Sequence, residues 1–168
     1  MNDNIEYEKF TQEIYNEILK NLYVKNMDVK HNVKLTGKSG QKHQIDVYWE
    51  YQYDNTTFKI AIECKNYNHT VSIGKVRDFF GVLYDLEDVK GIMVTKKGYQ
   101  EGAKKFGEHY GIDLMELREP EEGEAIVAET TLTIGSSVRH RLFQVDEDWA
   151  KAHDFNIQLY KKRLDCLS

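Results

Sequence analysis

Apolar residues recur at helical spacing in several segments of the chain. In residues 7–22, Phe10, Ile14, Ile18 and Leu22 fall on one face of a helix. The same period predicts helices in VSIGKVRDFFGVLYDLED, in YQEGAKKFGEHYG and, near the end of the chain, in DEDWAKAHDFNIQLYKKRLD. Each of these helices is expected to pack its apolar stripe against a core.

Strands are predicted between the helices. The segment MDVKHNVKLTG alternates weakly, and the polar loop QYDN joins HQIDVYWEY to TTFKIAIECKNY in a hairpin. KGIMVT and IDLMEL are short apolar runs of strand length, and AIVAETTLTIG and VRHRLFQV follow them. The order α-β-β-β-α-β-α-β predicts an α/β fold with a mixed central sheet flanked by helices, and the remaining β-β-α predicts a C-terminal extension.

A boundary is predicted near the single proline of the chain. Pro120 lies in the acidic stretch REPEEGEA, where the hydrophobic pattern changes. Residues 1–118 are therefore expected to form the core domain, and residues 119–168 an extension whose role the sequence does not reveal.

Composition indicates a soluble globular protein. Of the 168 residues, 30% are charged and 40% hydrophobic, and no apolar run approaches the ~18 residues of a membrane span. The only cysteines, Cys64 and Cys166, have no paired spacing, which favours a reduced, cytoplasmic setting. The net charge of −5 excludes a protein that coats DNA through overall basicity, so any contact with nucleic acid requires a local basic patch.

Chemically active side chains are concentrated on the two strands of the predicted hairpin. Because side chains alternate along a strand, Glu63 and Lys65 share one face of FKIAIECK. In HQIDVYW, Asp46 and Gln44 are predicted on the face opposite to that of Ile45, Val47 and Trp49. If the hairpin directs both apolar faces to the same core, Asp46 lies alongside Glu63.

Two carboxylates and an ammonium group at one sheet edge have a natural chemical use. The carboxylates can hold a hard divalent cation such as Mg²⁺, which lowers the pKa of a bound water and neutralises charge on a phosphate. The lysine can orient the attacking water or stabilise hydroxide. The alternative is a solvated Glu-x-Lys pair that contributes ~0 to 1 kcal/mol to stability.

An ordered set of motifs resembles the Mrr-like restriction endonucleases of the PD-(D/E)xK nuclease superfamily. The motifs cover roughly residues 7–118 and occur in the order found in the family. They are GKSGQKHQIDV, AIECKNY, VSIGKVRDFFGVL and GIMVTKKGYQEGAKKFGEHYGIDLMEL. The family's usual proline before the first Asp is absent, because the chain has Gln-Ile-Asp there.

The resemblance implies a restriction-endonuclease-like fold and Mg²⁺-dependent cleavage of DNA phosphodiester bonds, with Mn²⁺ as a substitute ion. It implies that Asp46 and Glu63 bind the metal and that Lys65 is the catalytic lysine. Such nucleases often place another acid on the first helix. Glu13 is the preferred candidate here, and the alternatives are Glu17 and Glu8.

Further residues around the predicted site are candidates for contact with DNA. Lys96 and Lys97 lie between a strand and the start of a helix, where backbone N–H groups also favour anions. Lys75 begins the preceding helix, and Gln44 lies one strand step before Asp46. A solvated polar surface is the alternative for each of these residues.

Two functions therefore remain open from the sequence. The first is a Mg²⁺-dependent endonuclease that acts on double-stranded DNA, in restriction or defence against foreign DNA, as a homodimer because duplex cleavage usually needs two sites. The second is a catalytically idle module that binds nucleic acid or protein on the same scaffold. Neither involves a membrane.

Overall fold

Ten helices and strands are present among the residues that the computed structural model describes, which are 3–20, 28–53, 55–117, 130–134 and 137–141. In chain order they are α1 (Asp3–Lys20), β1 (Lys30–Thr36), β2 (Lys42–Tyr53), β3 (Thr56–Lys65), α2 (Ile73–Leu86), β4 (Val89–Thr95), α3 (Glu101–Tyr110), β5 (Asp113–Glu116), β6 (Thr130–Ile134) and β7 (Ser137–Arg141). The predicted closing helix and the predicted end of α1 near Leu22 lie outside the described residues. None of the described helices is long and apolar enough to cross a membrane.

Five of the strands form one mixed sheet in the order β1-β2-β3-β4-β5. The pairs β1–β2 and β2–β3 are antiparallel, whereas β3–β4 and β4–β5 are parallel. Parallel neighbours need a crossover connection, and α2 and α3 supply the two crossovers. Strands β6 and β7 form a separate antiparallel pair. The predicted α/β fold with a mixed central sheet flanked by helices is confirmed.

Each face of the five-stranded sheet carries its own hydrophobic core. The first core lies under α1 and includes Ile14, Leu19, Trp49, Ile62 and Val94. The second core lies under α2 and α3 and includes Ile45, Ala61, Val76, Phe79 and Met93. Burial on both faces explains why β4 is a continuous apolar run rather than an alternating one.

The predicted alternation along β2 is wrong at one position. Val47 and Trp49 lie in the first core, but Ile45 lies in the second core, on the opposite face of the sheet. The change of face occurs at Asp46, opposite which Asn32 of β1 adopts a left-handed conformation with φ of 56°. Asparagine tolerates this conformation better than most residues. The alternation of side chains between the two faces is therefore interrupted here at a small cost in free energy.

Strand β1 changes face at the same point as β2. His31 contacts Glu8 of α1, whereas Val33 packs against the second core. The register is unchanged on either side, since His31 pairs with Val47 and Val33 pairs with Ile45. The shared break leaves the ladder in register and places Asp46 between the two cores.

Candidate active site

Asp46 lies where β2 and β3 separate. The last residue pair of their ladder is Val47 with Ile62. Beyond it, the Asp46 carboxylate accepts a hydrogen bond from the backbone N–H of Cys64 through Oδ2, at 2.8 Å. A side chain thus takes the place of a strand-to-strand hydrogen bond, and this fixes the carboxylate next to the end of β3.

Glu63 and Lys65 project together from the end of β3. The Lys65 ammonium contacts the Glu63 carboxylate, and each side chain is only about one-fifth exposed. The carbonyl of Lys65 accepts a hydrogen bond from the hydroxyl of Thr95, which is fully buried on the neighbouring strand β4, at 2.9 Å. Thr95 therefore holds the backbone of Lys65, and Glu63 holds its ammonium.

Burial and the charges of neighbouring groups shift the pKa values of Asp46 and Lys65. Burial, followed by the negative charge of Glu63, raises the pKa of Asp46 to about 7, although the Cys64 N–H and Lys65 act in the opposite direction. Burial by itself lowers the pKa of Lys65, but attraction to Glu63 and the hydrogen bond with it outweigh burial, so the net shift is upward. A cation placed near Asp46 and Glu63 would relieve this repulsion.

Two carboxylates suit Mg²⁺ better than most other metals. Mg²⁺ is commonly held by one or two carboxylates, with water and phosphate oxygens completing its shell. Within the described part of the chain, no three His, Cys, Asp or Glu side chains form a ready-made metal cluster. A closed structural zinc site, which needs four protein ligands, has no counterpart here among these residues.

Among the described acids of α1, Glu8 acts on Asp46. The negative charge of Glu8 contributes to the raised pKa of Asp46, and Glu8 is itself only 16% exposed. The ring of His31 donates a hydrogen bond from Nε2 to Glu8 Oε2 at 2.8 Å. Glu13 is solvent-exposed, and the side chain of Glu17 lies outside what the structure describes. The assignment of Glu13 stays a prediction, with Glu8 better placed.

The four candidates for DNA contact lie at three places in the fold. Lys96 and Lys97 follow Thr95 at the end of β4, and Thr95 pairs with Lys65, so both lysines leave the sheet at the edge that carries the acids. Gln44 is exposed two residues before Asp46. Lys75 lies in the first turn of α2, where its ammonium is 3.9 Å from Asp78.

Two features of this region had no signal in the sequence pattern. One is His31, which simple alternation would have placed on the same face as Val33. The other is Asp85 of α2, whose carboxylate accepts hydrogen bonds from the ring of His43 at 2.7 Å and from the backbone N–H and hydroxyl of Ser39 at 2.8 and 2.7 Å. These bonds attach the loop before β2 to α2.

The mixed sheet, the helices on both its faces and the acids at the fork of β2 and β3 define a restriction-endonuclease-like protein. Residues 3–120 match the family model Mrr_cat, described as a restriction endonuclease, and the chain belongs to this family. No match was found among curated proteins.

Several solved structures are similar to this chain at low sequence identity. A protein of unknown function, AF1548, is 22% identical with a TM-score of 0.53, over 68% of this chain and 61% of that one. A repair endonuclease from Pyrococcus abyssi is 23% identical with a TM-score of 0.41, over 66% and 47%. EndoMS bound to double-stranded DNA is 19% identical with a TM-score of 0.44, over 66% and 45%. The chain therefore spans less than two thirds of each of these proteins.

Proposed function

We propose that this chain is a metal-dependent endonuclease that hydrolyses phosphodiester bonds in double-stranded DNA. The observation that carries the proposal is the meeting of Asp46, Glu63 and Lys65 where β2 and β3 separate. Burial, and after it the negative charge of Glu63, raises the pKa of Asp46, and a bound cation would offset both effects. A module that only binds nucleic acid or protein has no use for such an arrangement.

The acids would serve as the metal ligands. Asp46 and Glu63 would hold Mg²⁺, or Mn²⁺ as a substitute, and would leave positions for water and phosphate oxygens. The bound ion supplies polarisation of the phosphate and a water of lowered pKa. Glu8 adds negative charge beside Asp46, and its hydrogen bond with His31 fixes the orientation of its carboxylate.

Lys65 would act on the phosphate and on the attacking water. Its raised pKa keeps the proton on Nζ at neutral pH, so the side chain can donate hydrogen bonds and offset negative charge that develops during attack. Glu63 and Thr95 restrict where the side chain can point, because one contacts Nζ and the other binds the carbonyl of Lys65.

Contacts with DNA would come from the same edge of the sheet. Lys96 and Lys97 would bind backbone phosphates, and Gln44 would approach the phosphate next to Asp46. We propose restriction of foreign DNA as the biological role, with two copies of the chain supplying one site for each strand.

Titration of Mg²⁺ and Mn²⁺ against plasmid DNA tests the proposal. The protein should cleave only with metal, and Lys65→Ala should lose at least about 100-fold in rate, as expected for a group that stabilises transition-state charge. Lys59→Ala is the matched control, because Lys59 lies on the same strand and the same face, six residues away from Lys65. Metal-independent DNA binding without cleavage would instead support the idle binding module.

A further inference from the structure

An aromatic cluster on α2 and α3 is exposed at Tyr84 and Tyr110 and partly buried against the second core at Phe80 and Phe106. Phe80, Tyr84, Phe106 and Tyr110 contact one another, with ring centroids between 4.4 and 6.2 Å apart. Tyr84 is 71% exposed and Tyr110 is 48% exposed, and the only other large hydrophobic residue exposed in the described part of the chain is Ile5. We call these four residues the aromatic patch.

The helix that carries half of this patch has a glycine that no contact in the described part of the chain requires. Gly81 is exposed in the interior of α2, and a Cβ built at this position meets no atom within 4 Å. Gly91 and Gly107 are different, since a Cβ there would lie 2.1 Å from Leu83 and 2.8 Å from Leu114. Glycine destabilises a helix interior relative to alanine, and no contact among the described residues offsets that cost at position 81.

The charges of α2 run against its own dipole. Lys75 lies in the first turn, where positive charge is unfavourable, although Asp78 is 3.9 Å away. Arg77 follows in the second turn, and Asp85 and Glu87 lie at the C-terminal end, where negative charge is unfavourable. Asp85 is engaged by Ser39 and His43, and Glu87 forms an exposed ion pair with Lys38 at 3.3 Å. A second α2 packed antiparallel would place the basic end of each helix against the acidic end of the other.

We infer that the outer face of α2, with the aromatic patch, is the interface between two copies of this chain. The two helices cross antiparallel at Gly81, where the missing side chains let the backbones approach closely. Arg77, which lies over the ring of Phe106 in its own chain at 5.6 Å, then also lies near Glu87 of the other copy and can form an ion pair with it. Charges of both signs on this face are unsuited to a nucleic acid as the occupant.

We infer a second copy of the chain as the occupant of this face partly because the proposed cleavage of both DNA strands needs two active sites. Self-association is measured without DNA or metal, so its outcome is independent of whether the protein is a nuclease. The two proposals can therefore fail separately.

Sedimentation velocity of the full chain over a series of concentrations tests the interface. The wild-type protein should form dimers, and Gly81→Ala should weaken the dimer at least tenfold while raising the thermal stability of the monomer. Gly102→Ala is the matched control, because it adds the same methyl group at an exposed position of α3 where the nearest atom is 3.8 Å away. A chain that stays monomeric, or a dimer that Gly81→Ala leaves unchanged, overturns the inference.

A charge exchange supplies a second test. Arg77→Glu and Glu87→Arg should each weaken the dimer, and the double variant should recover most of the wild-type affinity. Within one chain the two positions are roughly 15 Å apart along the helix, beyond the screening length of about 8 Å at physiological salt. Recovery therefore requires contact between copies, and a double variant as weak as the two single variants combined contradicts the antiparallel arrangement.

Discussion

The Asp46 carboxylate accepts a hydrogen bond from the backbone N–H of Cys64 at 2.8 Å, just beyond the last residue pair of the β2–β3 ladder. The acid is therefore part of the strand architecture, and its position does not depend on a bound ion. The same placement buries it beside Glu63 and raises its pKa to about 7. Burial and the charge of Glu63 both oppose ionisation of Asp46 at the point where we propose that the metal binds.

Asp46→Asn should abolish cleavage and stabilise the metal-free protein. Because the pKa of Asp46 is about 7 in the folded chain and ~3.9 in an unfolded one, its contribution to stability is present below about pH 4 and is lost as pH rises through 7. Asparagine removes the charge and can still accept the Cys64 N–H. Above pH 7 we expect a gain of at least about 1.4 kcal/mol in the free energy of unfolding, which is the equivalent of one pKa unit.

Thermal unfolding across pH, with and without Mg²⁺, measures this effect. The variant should exceed the wild type in stability near pH 8 and match it near pH 4, and Mg²⁺ should raise the melting temperature of the wild type only. Equal stabilities at both pH values would show that Asp46 is not under electrostatic strain.

Glu8→Gln and Glu13→Gln separate the two assignments of the helix acid. Glu8 acts on the pKa of Asp46 and is bound by His31, so we expect Glu8→Gln to lower the cleavage rate about tenfold, as is usual for groups that orient metal ligands. Glu13→Gln changes an exposed carboxylate and should have the smaller effect. Rates at saturating Mg²⁺ and DNA provide the comparison, and a greater loss in Glu13→Gln would favour the assignment made from sequence.

The regular parts of the fold could be predicted from the sequence because they depend on local periodicity. The relation of Glu63 to Lys65 required only a regular strand, and the structure has one from Thr56 to Lys65. The face of Ile45 could not be predicted in this way. It depends on the left-handed conformation of Asn32 on the neighbouring strand, which no pattern within β2 reveals.

The choice of helix acid lay beyond sequence reasoning for a similar reason. Glu8 and Glu13 both flank the apolar stripe of α1, and helical periodicity does not say which flank lies toward Asp46. That depends on how α1 packs on the sheet, and in particular on the contact of Glu8 with His31, 23 residues away along the chain. The bonds of Asp85 to Ser39 span 46 residues and were equally inaccessible.

Replacing Lys96 and Lys97 together by alanine should weaken DNA binding in a salt-dependent manner. If each lysine binds one phosphate, the slope of log affinity against log salt should become shallower by about 2, and the loss should be similar for unrelated DNA sequences. Binding is best measured in chelator to prevent cleavage. Lys104→Ala with Lys105→Ala is the matched control, since both are exposed lysines on α3. An equal effect of the two pairs would show that the protein binds DNA through general charge alone.

Asp85→Asn should lower stability at neutral pH but not in strong acid. Hydrogen bonds from His43 and Ser39 hold the pKa of Asp85 at about 2, below the value of ~3.9 in an unfolded chain. A lowered pKa gives stability that is present above about pH 4 and is lost as pH falls through 2. The difference in melting temperature between the wild type and Asp85→Asn should therefore shrink from neutral pH toward pH 2. Asp78→Asn is the control, because it removes an exposed carboxylate from the same helix, whose oxygen lies 3.9 Å from the Lys75 ammonium. If the difference for Asp85→Asn persists unchanged to pH 2, the charge of Asp85 does not anchor the loop before β2.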